Sequence, residues 1–435
     1  MSICAAALIL ILFGTVTPSS ASGFFTGEIG ARAAGKGGAN FVGEDTLTAV
    51  YMNPAALYRL RGTNAMMQVD FDILHTYYRR EPYLSSSYNR NPADYIPSLF
   101  VGSDFHMNRK LSIAYGAYGP YGVTVRYPDD SEARYNSLDN NAVQVNHIVA
   151  AGWQPYDWLA VGVGIGATSF KLENYYGFSV LKDRVHKYDV KAQFYVTRDF
   201  VPSWNTGVIV KPAPWFEFGG SYIPRFPNLF VEGYIKADLP EFYAAILGFG
   251  TFKDDIKVFI DYPEQWRFGA RYIHDTLFDV EVGATYTPWS LMKGFDVDFK
   301  EETLIEDFFL PLLWHDTWSY RIGSSWNLDE HWSVRAGYMF EEGAAPPETL
   351  GAGSIETDRN AFGGGFSAKW FGVEVDWTYQ HIFLEDAEIP AVVGSDNALD
   401  DGRGRVKGNY DRFIGAVTFN IEKMYYTYKG RGPVK

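Results

Sequence analysis

Several stretches of the chain hold residue types that could do chemistry. Gly30–Gly37, GARAAGKG, matches the G-x-x-x-x-G-K part of a phosphate loop, in which backbone amides cradle phosphates and the lysine reaches them. It lacks the following Ser or Thr that would hold Mg²⁺, and no strand pattern precedes it, so nucleotide binding is excluded. Gly162-Val163-Gly164-Ile165-Gly166 has the look of a dinucleotide turn. Its glycines alternate with Leu159, Val161, Val163 and Ile165, so Gly162, Gly164 and Gly166 instead form a bare stripe on one face of a strand, with room for a plug or a ligand. The eight histidines are scattered without metal-ligand spacing. Asp396–Gly402, DNALDDG, lacks the alternating ligands of a calcium loop. No Ser–His pair stands out on neighbouring positions of one face. No cofactor or metal is expected, and the chain reads as a non-enzyme.

Two other constellations carry more. Arg267 and Arg271 share one strand face, as do Asp279 and Glu281 on the next strand, so the four are expected to meet across a hairpin. With the turn centred on Asp275, Arg271 would lie opposite Asp279, and the pairs would hold the wall or a plug. Gly119-Pro120 interrupts the otherwise regular strand Leu111–Tyr127. Proline cannot donate to a ladder, so the strand must bulge there and leave its neighbour partly unpaired. Pro224 and Pro227 break Trp215–Lys236 in the same way.

The elements that position these residues are strands. Of 435 residues, 43 are Gly, 30 Tyr, 32 Phe and 12 Trp, a composition suited to one large β-unit. The net charge of −14 argues against nucleic acid, which requires basic faces. Residues 1–21 read as a secretory signal, with an apolar run Ala5–Phe13 and Ser19 and Ala21 at the cleavage site. Cys4, the single cysteine, would be lost with it. No later segment has the apolar length of a spanning helix. Residues 22–62 are rich in Gly and Ala without sustained alternation, and read as a hatch.

From Asn64 the period is two. Met67, Val69, Phe71 and Ile73 oppose Gln68, Asp70 and Asp72, and Trp266, Phe268, Ala270 and Tyr272 oppose Arg267 and Arg271. Apolar, aromatic faces toward lipid and polar faces toward a lumen are the signature of an outer-membrane barrel. Strands are expected near 64–77, 97–105, 110–127, 142–154, 157–173, 200–211, 215–236, 255–273, 277–288, 314–328, 331–342, 359–370, 371–385 and 408–422. That is an even number, about fourteen, as a single-chain barrel requires. Connections alternate between tight (His106–Arg109, Gln154–Asp157, Lys211–Pro214, His274–Thr276) and long (Tyr78–Ile96, Asn174–Phe200, Pro288–Leu313). Trp153, Trp158, Trp215, Trp326, Trp332 and Trp370 flank the tight ones, as a periplasmic aromatic girdle would. The expected fold is therefore all-β. It is a 14-stranded antiparallel transmembrane barrel over 63–423, with a hatch inside its lumen and a C-terminal tail over 424–435.

Ser22-Gly23-Phe24 at the mature start, Asn53-Pro54-Ala55 at the end of the hatch, Tyr121-Gly122 after the strand break and Val161–Lys171 after a tight turn stand in an order that resembles the FadL family of long-chain fatty acid and hydrocarbon channels. The resemblance implies passive uptake across a Gram-negative outer membrane. Extracellular loops would catch the ligand, a lumenal site touched by the N-terminus would hold it, and it would leave sideways at the kinked third strand. It places Phe24 and Phe25 near the ligand, sets Asn53, Pro54 and Ala55 against Gly119, Pro120 and Tyr121 as a gate, and offers Lys171 as a cation for a head group. Alternation puts Lys171 on the lipid side, where it serves only near the rim. Phe242–Phe249 and Ile305–Leu313 are apolar loop segments that could form a landing surface or pack to close the barrel top. The implied partners are a hydrophobic ligand, outer-membrane lipid and the barrel-assembly machinery, which would recognise Phe419 or Ile421 in the last strand, and the protein would be a monomer. Competing readings are an aromatic or aliphatic hydrocarbon channel, an outer-membrane hydrolase and an adhesin.

Overall fold

A computed structural model describes residues 29–80, 88–90, 96–120, 122–135, 137–179, 188–301, 307–350, 357–390 and 404–429. Alternation of side chains on twisted strands with tight turns at one end closes the sheet into an antiparallel barrel of 14 strands. They are β1 Asn64–Arg80, β2 Ile96–Asn108, β3 Leu111–Tyr118 with Gly122–Arg126, β4 Asp139–Tyr156, β5 Leu159–Ser179, β6 Asp189–Ala213, and β7 Phe216–Ile223 with Phe226–Asp238. There follow β8 Thr251–Tyr262 with Gln265–His274, β9 Phe278–Thr287 with Gly294–Phe299, β10 Phe308–Pro311 with Thr317–Asn327, β11 Trp332–Glu341, β12 Arg359–Trp370, β13 Val373–Leu384 and β14 Gly404–Asn420. The seam is β1 against β14, in register from Asn64↔Asn420 to Arg80↔Gly404.

Lipid-side aromatics form two belts. Trp153, Trp158, Trp215, Trp326, Trp332 and Trp370 are exposed beside the tight turns, and Trp204, Trp266 and Trp318 are exposed further up. Trp318 and Trp326 lie eight residues apart on β10, about 27 Å along a strand. At a tilt of ~40° that is roughly 20 Å of membrane depth, close to the apolar band of such barrels.

Several strands outrun the sequence expectation. The connections Asn174–Phe200 and Pro288–Leu313 are largely ladder, because β5, β6, β9 and β10 continue beyond the upper belt. A bulge interrupts this on β6, where Phe200 has φ 57 and the register with β5 shifts between Thr168 and Phe170. The last strand ends at Asn420, whose side chain accepts from the amide of Lys423 and caps a helix, Ile421–Tyr428. Ile421 is therefore helical and outside the strand, and the barrel ends before residue 423.

Inside the lumen lie two short helices, α1 Ala31–Gly35 and α2 Ala49–Met52, followed by a 3₁₀ turn Pro54–Arg59. Ala-rich α1 lies against β11–β13 so closely that a side chain on Gly337 or Gly363 would strike backbone atoms of Lys36 or Ala34 at 2.0 and 2.2 Å. The hatch is apolar on one side, where Val50, Met52, Ala55 and Leu57 pack with Met66, Phe100, Ile148 and Ile209 of β1, β2, β4 and β6.

Candidate functional site

The other side of the hatch is charged. Arg32 reaches Asp376 of β13 at 3.0 Å and Asp45 at 2.6 Å, and also pairs with Glu374. Lys36 reaches Asp279 of β9 at 2.9 Å, and Arg59 reaches Glu217 of β7 at 2.7 Å. Glu281 accepts the amides of Val42 and Gly43, each at 2.8 Å. Glu44 is fully buried within the hatch and accepts from Asn40, Thr46 and the amide of Asp45. Burial first, and then the neighbouring Asp45 charge, push its carboxyl above the ordinary value.

Arg267, Arg271, Asp279 and Glu281 all face the lumen, as parity demands. Their register differs from expectation: Arg271 lies opposite Glu281 and Ile273 opposite Asp279. The turn takes three residues, Asp275 to Leu277, with Asp275 at φ 50, which moves its centre to Thr276. Arg271 reaches Asp279 diagonally at 2.8 Å and Glu217 at 3.4 Å. Arg267 meets neither acid; it donates to the carbonyl of Tyr51 at 2.7 Å and lies 4.0 Å over that ring. Three of the four hold the hatch directly, and Arg271 completes the network around them.

The break in β3 has a definite geometry. Tyr118 pairs with Asn146, but Gly122 pairs with Val143, so β3 spends three residues where β4 spends two. Lumenal parity therefore switches from Ser112, Ala114 and Tyr118 below to Val125 and Tyr127 above. Ile96–Leu99 of β2 pair with β1, while Gly122–Arg126 pair with β4, and among the described residues no ladder joins those two stretches to each other. The wall is parted there. Gly119 and Pro120 lie at this point as expected, while Tyr121 lies outside the described residues.

Asn53, Pro54 and Ala55 do not sit at the break. Asn53 donates to Phe41 O at 2.9 Å and accepts from the Ala55 amide at 3.1 Å. Pro54 presses on β4–β6, where a side chain on Gly162 would come within 2.2 Å of its carbonyl carbon, and one on Gly152 within 2.6 Å of its carbonyl oxygen. The hatch residues beside the lower edge of the break are Val50, which fills the space over Gly116, and Tyr51, whose ring centre is 5.2 Å from that of Tyr118. The reason is the glycine stripe: bare backbone at Gly152, Gly162 and Gly207 admits the Asn-Pro-Ala turn there. Gly164 and Gly166 offer no ligand space either, since Asn205 Oδ1 and the His147 carbonyl would lie 2.3 and 1.9 Å from added side chains.

Lys171 points outward, as alternation requires, and lies 3.3 Å from Glu173 and over the Tyr195 ring at 5.4 Å. It pairs across to Thr197, above Trp204 and the upper belt. Phe24 and Phe25 lie outside the described residues.

Above the hatch two cavities follow one another. The upper is apolar and is walled by Phe170, Leu172, Val196, Val231, Ile260 and Phe295. Its rim includes Gly122, where β3 resumes. The lower is smaller, with Tyr51 of the hatch, Tyr118 and Pro120 of the break, and a set of side-chain amides. Gln144 and Tyr262 border both. The upper wall was not anticipated from sequence, although a signal exists: along β7, Val231, Ile235 and Ala237 are buried while Glu232 and Asp238 are exposed, the reverse of the phase below. Of the apolar loop segments, α3 (Glu241–Leu247) both packs and exposes, with Tyr243 buried and Phe242 and Ile246 exposed, and Phe309 and Leu313 are exposed near β10.

The family model described as outer membrane protein transport protein (OMPP1/FadL/TodX) matches residues 12–421. Outer membrane protein P1 of Haemophilus influenzae is 22% identical over 319 residues, 68% of each chain. Among solved structures, a Pseudomonas aeruginosa FadL homologue covers 92% of this chain and 100% of its own, with a TM-score of 0.79 at 14% identity. The Ralstonia pickettii toluene transporter TbuX matches at 0.67 and 15%, over 90% and 98% of the two chains. The Pseudomonas putida toluene transporter TodX matches at 0.68 and 13%, over 92% and 99%.

Proposed function

The chain belongs to the OMPP1/FadL/TodX family of outer-membrane transport proteins, and from that membership we propose that it takes up long-chain fatty acids or similar hydrophobic molecules, which settle in the upper cavity and leave sideways through the parted wall at β3. A hydrophobic solute gains nothing from a water-filled pore. It gains roughly 25 cal/mol for each Å² of its surface removed from water, and the upper cavity offers a nearly all-apolar surface for that. A closed ladder would block a lipid-side exit, since every backbone group is paired. The observation that carries the reading is the coincidence of that cavity with the stretch where β2 and β3 separate. Phe242, Ile246 and Phe309 supply exposed apolar surface for first capture.

A second reading, uptake of hydrocarbons without a head group, is favoured by the charge distribution. Among the described residues, Lys171 is the one basic residue bordering the upper cavity, and its side chain points away from the lumen.

The exit route has a direct test. Because β3 carries one surplus residue, substitution alone leaves the bulge; deleting Gly119 together with Pro120→Val restores both register and donor. The repaired barrel should fold, as read by heat-modifiable gel mobility, yet lose accumulation of a labelled hydrophobic solute by about tenfold or more. Undiminished uptake through a correctly folded, repaired wall would show that ligand leaves past the hatch instead.

A further inference from the structure

The lower cavity has an unusual lining for a hydrophobic route. Gln144, Asn146, Asn205 and Gln265 meet there from β4, β6 and β8, and are only 5, 7, 1 and 7% exposed. The amide nitrogen of Gln144 donates to Asn146 Oδ1 at 3.1 Å, and Thr168 donates to the same oxygen at 2.7 Å. The amide nitrogen of Asn205 donates to the Val50 carbonyl of the hatch at 2.7 Å. The Val50 carbonyl can only accept, which fixes the Asn205 amide, and with Asn146 accepting from Thr168 the same oxygen sets that of Gln144. What remains on each is a carbonyl oxygen. Gln144 Oε1, Asn205 Oδ1 and Gln265 Oε1 are buried without a hydrogen-bond partner. Buried acceptors left unmet are costly; Ser203 Oγ, also buried on this cavity without a partner, can donate to one of them, and the others still demand donors.

The charge of the missing donor is also constrained. Among the described residues, no Lys, Arg or His borders the lower cavity. A carboxylate there would face carbonyl oxygens with no cation to offset its desolvation. A bare hydrocarbon would leave the oxygens as they are. A neutral hydroxyl satisfies them and carries no charge.

We propose that the lower cavity is a head-group site for a neutral hydroxyl donor, with the hydrocarbon portion of the same molecule in the apolar cavity above. The substrate class is then a long-chain alcohol, an alkylphenol or an undissociated carboxylic acid. This rests on the reading of the two cavities as the transport route. It adds a polar checkpoint beside the break, with Gln144 bordering both compartments and Gln265 on the opposite wall.

Three probes of one shape test it: 4-hexylphenol donates a hydrogen bond, 4-hexylanisole only accepts, and hexylbenzene does neither. Equilibrium binding to the full-length barrel in lipid nanodiscs should favour the phenol over the anisole by about tenfold, the discrimination expected when buried acceptors gain or lack a donor. Gln144→Met with Gln265→Met should bring that ratio close to one. Gln265→Met alone, in case the double variant fails to fold, should lower the ratio part of the way. Equal binding of phenol and anisole by the native barrel would overturn the head-group site, with water then filling the chamber, and would leave the channel reading intact. Binding of none of the three would overturn both.

Discussion

On β8 the two halves of one strand face opposite ways. Below Pro263, Arg267 and Arg271 point into the lumen and Trp266 and Phe268 toward lipid; above it, Ile256 and Val258 point inward and Lys253 and Asp255 outward. The lower half is a membrane wall around a charged hatch seat. The upper half, beyond the Trp204–Trp266–Trp318 belt, is an inverted wall, polar outside and apolar within. The medium outside dictates the inversion. Below, lipid takes the apolar face and leaves the lumen free to hold ions. Above, the outer face meets water and polar head groups, so the apolar residues turn inward and form a ligand cavity without extra chain.

The contrast predicts different failures. The largest follows from Arg32→Ala, which leaves Asp376 buried beside one fewer cation and unties the hatch from β13. Removing one member of a buried pair costs about 3–5 kcal/mol, so single-channel recordings should show a larger, noisier conductance. An unchanged conductance would mean that the apolar side seats the hatch alone. In the upper half, Val231→Thr puts a hydroxyl into the apolar wall at nearly constant volume. Drying that group on ligand binding costs roughly 1–3 kcal/mol, and hexylbenzene should bind about tenfold more weakly, with conductance as before. Should conductance change as well, the two halves are coupled. The smallest effect belongs to Lys171→Ala. The side chain is half exposed on the outer face and pairs with Glu173, worth less than about 1 kcal/mol. Fatty acid uptake should change by less than about twofold, and a larger loss would return Lys171 to the ligand path.

Alternation made the lower half readable from sequence, because lipid outside and charge inside give opposite residue types at successive positions. Met67 and Asp70, or Trp266 and Arg267, identify their faces unaided. Register was harder. The Arg271–Glu281 pairing depends on Asp275 taking a left-handed conformation, and a single residue in that turn moves every partner. The gate was misplaced because a strand break and a turn-forming Asn-Pro-Ala suggest each other, whereas bare glycines on β4–β6 decide where the turn docks. The upper cavity was legible only as a change of phase, and Pro224 and Pro263, which interrupt β7 and β8, obscure it. Gln144, Asn205 and Gln265 come together from separate strands, and sequence spacing alone does not join them.

Arg32 and its partner Asp376 are separated by 344 residues, and the seam pair Arg412 and Asp70 by 342. The hatch precedes β1, and although Arg59 and Lys36 pair with β7 and β9, its Arg32 salt bridge waits for β13, the strand just before the one that completes the circle. During assembly the segment 29–62 must stay inside a growing, open sheet while hairpins are added one after another. Loop entropy rises only slowly over such lengths, but contacts this remote are late and slow to form. Completing the hatch seat at Arg32 and sealing β1 to β14 therefore belong to a single late event. The ion pair acts as a latch that engages only when the circumference is nearly complete, so a chain whose N-terminal segment arrives after closure has no way to install it.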